Sequence, residues 1–209
     1  SGMMRNQTRK KKEDRLQEVK AAASRLFKKC GYDKVSTKMI AEEAGISRAL
    51  IYRYNWSKSE ILSHLLIDML SHQAEVLEEH AKKLKVTEGK GCPWVELTVN
   101  YFEKLFQLDT DPEIVKFRKL AAQQSWSWGR KIETEIYAKA GNLFWPLYDL
   151  FEEIGGPKLH EGARNAIWAA YTETLRHWVA QTEPLELPNV CTWKAAFRAQ
   201  IKCFIYGIA

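Results

Sequence analysis

Along this chain apolar side chains recur three and four residues apart, while the period-two alternation of a half-buried strand is weak throughout. Leu16, Val19, Ala23, Leu26 and Phe27 predict a long first helix from about Arg9, with a disordered basic lead before it and Gly31 as its left-handed stop. Ser36 predicts the N-cap of a helix of barely two turns, with Met39, Ile40 and Ala44 inward and Gly45 ending it. Ser47 is expected to cap the next helix, where Leu50 and Ile51 are apolar and Arg48, Tyr52 and Arg53 point elsewhere. Ser57 and Glu60 then read as a capping box opening a helix through Ile61, Leu62, Leu65, Leu66, Met69 and Leu70 to about Leu84.

Gly89, Gly91 and Pro93 mark the clearest break, and Pro93 and Pro112 each sit where a helix should begin. The helix from Pro112 is expected to reach about Ser127, and one from Ile132 to Ile154 to bend around Pro146. Residues 160–181 and 192–208 predict two more helices, separated by the proline-bearing stretch EPLELPN. The expectation is an all-α protein of about nine helices.

Charge divides the chain unevenly. Residues 1–56 hold 14 Lys and Arg against 6 Asp and Glu, or +8, which leaves 18 against 20 for the remainder of a chain of net charge +6. A basic N-terminal quarter on a near-neutral body is the electrostatic footprint of a nucleic-acid reader. The longest apolar runs are far short of a membrane span, so the protein is expected to be soluble, without a membrane partner. Cys30, Cys92, Cys191 and Cys203 form no C-x-x-C pair, which points to a reducing cytoplasm and neither a zinc site nor a disulfide framework.

Helix, glycine turn, helix over residues 36–54 is the helix-turn-helix pattern, in which the second helix lies in the major groove of duplex DNA. Ser47, Arg48 and Ala49 are placed to meet bases, and Arg48 can fork onto guanine O6 and N7. Tyr52, Arg53 and Tyr54 are expected at phosphates or a neighbouring base, with Thr37, Lys38 and Lys58 adding backbone contacts from helix starts.

The stretch LFKKCGYDKVSTKMIAEEAGISRALIYRYNWSKSEIL resembles the DNA-binding domain of the tetracycline-repressor (TetR) family of bacterial transcription regulators. Leu26-Phe27, Gly31-Tyr32, Ser36-Thr37, Ile40-Ala41, Ala44-Gly45-Ile46-Ser47, Ile51-Tyr52, Ser57-Lys58 and Leu62 carry the likeness. Two positions depart from it. Asn55 stands where the family usually has a Phe that packs the recognition helix, so Trp56 is expected to take over that burial; Leu50 replaces a small Thr or Ser.

The resemblance implies a helix-turn-helix domain over residues 1–56 and a helical domain over 57–209 that dimerises and holds a small effector. Seven of the eight tryptophans lie in that second part, and pockets for small ligands are largely apolar and aromatic. Leu66, Leu70, Phe102, Phe106, Trp126, Tyr137, Trp145, Tyr171 and His177 are the candidate lining. Ile167, Leu175 and Trp178 on one helix, with Trp193, Phe197, Ile201 and Phe204 on the next, form wide stripes that a two-fold four-helix seam would bury. No cofactor or metal is expected. The function expected is a DNA-binding repressor released from its operator by an apolar or aromatic effector. A DNA-binding dimer without a ligand is the alternative; a metal-dependent enzyme, suggested only by His64, Asp68 and His72 at four-residue spacing, is a distant one.

Overall fold

The computed structural model describes the backbone of residues 2–84, 93–180 and 190–206, with side chains for residues 11–84, 93–176, 195–203 and 205. Ten α-helices run in order among the described residues: α1 (Gly2–Cys30), α2 (Thr37–Glu43), α3 (Arg48–Arg53), α4 (Lys58–Lys83), α5 (Pro93–Asp109), α6 (Pro112–Gln124), α7 (Arg130–Gly141), α8 (Trp145–Glu153), α9 (Glu161–Ala180) and α10 (Val190–Tyr206). Short 3-10 turns occupy Tyr32–Lys34 and Ser125–Ser127. No strand occurs among the described residues, and no helix of theirs is long and apolar enough to cross a membrane. Gly89 and Gly91 of the first expected break, and the proline-bearing stretch at 183–189, lie outside the described residues.

Local signals account for most boundaries. Ser36 Oγ accepts from the Met39 amide at 3.2 Å, and Gly45 closes the turn after α2 at a φ of 66°, a left-handed value that costs glycine nothing. Pro93 and Pro112 open α5 and α6 as expected, and Asp111, expected with Pro112 at the start of α6, caps it, its Oδ1 accepting from Glu113 N at 2.9 Å.

Three expectations are corrected. The basic lead is helical rather than disordered, since it contains no Gly or Pro after Gly2 and extending an existing helix is far easier than nucleating one. The Ser57–Glu60 box is half formed: Ser57 Oγ accepts from Glu60 N at 3.1 Å, but the Ser57 amide goes to the Asn55 carbonyl. The bend at Pro146 is a complete break, with α7 ending at Gly141 and α8 starting at Trp145 so that the proline falls in its first turn, where no amide donor is needed.

The chain folds as two compact units, one running to Met69 and including Leu120–Ile136, the other formed by Leu70–Lys119 and Tyr137–Ala209. The first unit therefore extends beyond residue 56 and takes in a later segment. Its core joins Val19, Ala22 and Ala23 of α1 with Val35, Ile40, Ala41, Ile51, Trp56 and Ile61. In the second unit α5 packs against α8, α9 and α10. Phe102 is its hub, with ring centroids of Tyr171, Phe197 and Phe144 at 5.0, 5.2 and 5.5 Å, distances at which aromatic pairs add to the gain from burial alone.

A polar knot ties four helices of that unit. Asp109, only 2% exposed, accepts from Arg118 at 2.7 Å and from Gln73 Nε2 at 3.0 Å through Oδ1, and from the Tyr171 hydroxyl at 2.5 Å through Oδ2. Burial and the neighbouring carboxylate both hold the Tyr171 phenol far above its usual range, so it remains a donor. Because removing one partner strands the others away from water, Asp109→Ala is expected to lower unfolding free energy by about 2–4 kcal/mol. Tyr171→Phe, which loses one hydrogen bond and leaves Arg118 on the carboxylate, should cost about 1 kcal/mol. Urea midpoints at unchanged slope check both.

Candidate nucleic-acid interface

The first unit displays α3 to solvent. Ser47 occupies its N-cap position in extended backbone, yet its side chain makes no capping bond, so the hydroxyl is left to other partners. Arg48 and Tyr52 lie one turn apart and hold each other: Arg48 Nη2 donates to the Tyr52 hydroxyl at 2.8 Å, and the guanidinium stands 5.4 Å from the ring centroid. Tyr52 is 60% exposed, and Ala49 and Arg53 are exposed beside it. Ser47, Arg48, Ala49, Tyr52 and Arg53 are thus brought together on one open face.

Others among the nine candidates lie off that face. Tyr54 is half-buried, its ring 4.7 Å from Trp56 by centroids, with Lys12 Nζ 5.2 Å above it. Thr37 opens α2, and Lys38 is exposed there with only a long 3.9 Å approach to Glu42. Lys58, expected at a phosphate, is half-buried: its ammonium donates to the Tyr32 carbonyl at 2.9 Å and sits 4.2 Å from the Tyr32 ring centroid.

What seats α3 is the departing residue Asn55 together with its neighbour Trp56. Trp56 is 3% exposed, in the same core as Ile51, so the expected substitution of one aromatic by its neighbour is present. Asn55 is exposed and carries the chain at a φ of 55°, the one left-handed non-glycine residue among those described. Asparagine tolerates that region better than most side chains, and the reversal turns the following indole inward.

Several supporting contacts were invisible to sequence reasoning because they join residues far apart. Trp128 Nε1 donates to the Ser59 carbonyl at 3.0 Å, and the Tyr32 hydroxyl meets Gln124 at 3.5 Å, so the segment after Leu120 braces the start of α4. Lys20, buried on α1, pairs with Asp68 at 2.8 Å. That pairing engages the Asp68 carboxylate, which shares a four-residue spacing with His64 and His72. Nearby His64 is held below its usual pKa, first by burial and then by Lys20, against the weaker pull of Glu135 and Asp68; Lys12 adds to the lowering.

The other candidates are dispersed. Leu66 is buried in the first unit and Trp126, 84% exposed, belongs to that unit too. Leu70, Phe102, Phe106 and Tyr171 are core residues of the second unit rather than an open lining. Tyr137 and Trp145 meet at a cleft of about 360 Å³ between α7, α8 and α9. Ile167, Phe197 and Ile201, expected on a subunit seam, are buried inside the protomer, and Leu175 is half-buried. The side chains of His177, Trp178, Trp193 and Phe204 lie outside those described.

Residues 20–65, from the middle of α1 to the first turns of α4, match the family described as bacterial regulatory proteins, tetR family. They are a tetR-family domain. Over most of its length the chain shares the fold of solved transcription regulators. The transcriptional regulator FadR from Bacillus subtilis, solved with stearoyl-CoA, is 18% identical over 92% of this chain and 99% of its own, with a TM-score of 0.55. A TetR/AcrR-family regulator from Thermobifida fusca YX-ER1 is 18% identical over 94% and 99%, with a TM-score of 0.53. SmeT in complex with triclosan is 16% identical over 89% and 90%, with a TM-score of 0.51. Among curated proteins none matches the chain.

Two outcomes follow for this tetR-family domain. Asn55→Gly should leave stability unchanged or slightly higher, whereas Asn55→Val, forcing a β-branched side chain into the left-handed region, should cost about 1–2 kcal/mol by chemical unfolding. Since His64 is favoured neutral in the folded state, the stability it contributes is present above its unfolded pKa of about 6.5 and is lost as pH falls through its lower folded value. Melting curves between pH 5 and pH 7.5, a range of about one unit or more on either side of that value, should therefore be less pH-dependent for His64→Gln.

Proposed function

We propose that the protein is a DNA-binding transcription regulator that acts as a homodimer and leaves its operator when its second unit takes up a small molecule. The observation that carries this reading is the open face of α3, where Arg48, Tyr52 and Arg53 stand exposed beside the uncapped hydroxyl of Ser47 on a helix rooted by Ile51 and Trp56. Six residues are enough for this role, because only the first turns of a recognition helix reach base edges. The basic α1 and the Lys38 side chain supply sequence-independent attraction to phosphate.

Two-fold pairing would use the outward faces of α9 and α10, since the inward ones are filled by Ile167, Phe197 and Ile201. Exposed Ala169 on α9 and Ala195 and Ala199 on α10 would let helix backbones approach closely. Small-molecule control is supported by FadR and SmeT, which share the fold and are solved with stearoyl-CoA and triclosan respectively. A repressor is the simplest version, in which the effector favours a subunit arrangement whose recognition helices no longer fit the operator.

Selection from random duplexes should yield two inverted half-sites whose centres lie one helical turn, about 34 Å, or a multiple of it apart. Arg48→Ala should then cost about 1–3 kcal/mol on the selected duplex and relax preference at one base position, with far less effect on a scrambled duplex. Equal losses on both duplexes would remove Arg48 as a base reader, and a selected site without a half-site repeat would remove the two-fold arrangement.

A further inference from the structure

The cleft of the second unit has a chemical character of its own. Tyr137, Trp145, Tyr148 and Trp168 form its walls, and two of these rings are open for their size, Tyr137 at 79% and Trp145 at 50% exposure. An apolar body laid against them is stabilised in proportion to the area it removes from water.

Into this aromatic wall comes one cation. The Arg164 guanidinium stands 5.4 Å from the Trp145 ring centroid and 5.7 Å from that of Tyr148. Glu161 precedes it by three residues on α9, a spacing that Glu173 and Arg176 close into an ion pair on the same helix. Glu161 and Arg164 form no such pair; Glu161 remains exposed at the rim while Arg164 is half-buried between rings. The two rings restrict where the fork can lie, so less rotamer freedom is lost when it takes a partner, and a partly dehydrated guanidinium prefers a carboxylate or phosphate oxygen. Burial pushes the Tyr148 phenol up to about 12 despite the opposing pull of Arg164, which keeps its hydroxyl a donor on the same wall. The Asn165 amide also lines the cleft.

We infer that the cleft binds an organic anion with a flat aromatic or apolar body, its carboxylate or phosphate held by Arg164 and its body by Trp145, Tyr148 and Trp168. The inference rests on the small-molecule reading above and names the class of molecule. A cationic ligand would meet Arg164 where the wall is least hydrated, whereas the repulsion an anion meets from Glu161 is weakened by solvent at the exposed rim.

Calorimetric titration of the full chain with four probes of one shape tests it: 1-naphthoate, 1-naphthyl phosphate, neutral 1-naphthalenemethanol and cationic 1-naphthylmethylamine. At least one anion should bind about tenfold or more tighter than the neutral and cationic probes, the scale of a charge-assisted contact, and whichever anion leads identifies the headgroup. Arg164→Gln should remove that advantage without changing the neutral probe, Arg164→Lys should keep part of it, and Trp145→Ala should weaken anionic and neutral probes together. Neutral or cationic probes binding as tightly as both anions would overturn the inference. So would anion affinity untouched by Arg164→Gln in a variant with a normal melting curve, or no anion binding at millimolar concentration. Duplex affinity measured in the same samples separates the two readings. Arg164-dependent anion binding that leaves the duplex bound supports the cleft and removes operator release. Release that persists in Arg164→Gln keeps the regulator and removes the anion site.

Discussion

A helix of six residues cannot hold itself together in water, because too few hydrogen bonds form to offset the cost of ordering its first turn. The surface that α3 offers therefore depends on two apolar anchors, Ile51 within it and Trp56 just beyond it, both lodged in the core with Val19, Ile40 and Ile61. Ile51 alone would leave the helix able to roll about its own axis. The indole, turned inward by the left-handed Asn55, adds a second point of attachment and so fixes which face carries Arg48 and Tyr52. Contacts that look remote from this surface, such as Trp128 on Ser59 or Lys58 on the Tyr32 carbonyl, act on the same thing, since each fixes the chain on one side of the anchor.

The second unit solves a different problem. Its core is largely aromatic around Phe102, and large flat rings leave little room for water or for adjustment. Within that packing Asp109 keeps a charge almost wholly away from solvent, joined to α4 by Gln73, to α6 by Arg118 and to α9 by Tyr171. Such a cluster contributes less to net stability than its many bonds suggest, because desolvating the charge offsets much of the attraction. Its stronger effect is on uniqueness: apolar rings can slide past one another at small cost, but three donors meeting at one carboxylate cannot. One Arg118 donor, Nε, is buried without a partner among the described residues, which keeps the balance of that cluster tight.

Helix starts and stops were legible because each rests on neighbours in sequence, as with Ser36, Gly45, Pro93 and Pro112. The outward face of α3 was legible for the same reason, since Arg48 and Tyr52 are one turn apart. Periodicity, however, only says that Phe102, Tyr171, Phe197 and Ile201 avoid water. It cannot distinguish a pocket wall or a subunit seam from the interior of the protomer, and here all four are interior. Long-range polar contacts gave no signal either. Asp109 precedes a loop and reads as an ordinary surface carboxylate, and nothing near Lys58 in sequence announces the carbonyl of Tyr32, 26 residues earlier, as its acceptor.

These two kinds of packing set the scale for any control of DNA binding. A ligand in the second unit shifts an equilibrium between arrangements of the protein only by the difference in its affinity for them, and couplings between sites are typically about 1–3 kcal/mol. That range matches the loss of one or two buried hydrogen bonds and is well below the cost of opening an aromatic core. Regulation on that scale should therefore leave the rings around Phe102 packed and act on weaker contacts. The partly exposed ones fit best: Arg164 between Trp145 and Tyr148, Arg118 on Asp109, and Trp128 on Ser59. The α4 helix is a single span from Lys58 to Lys83, carrying Ser59 at one end and Gln73 further along. The contacts of Ser59 and of Gln73 can each yield within their own unit, so regulation on that scale requires neither core to melt.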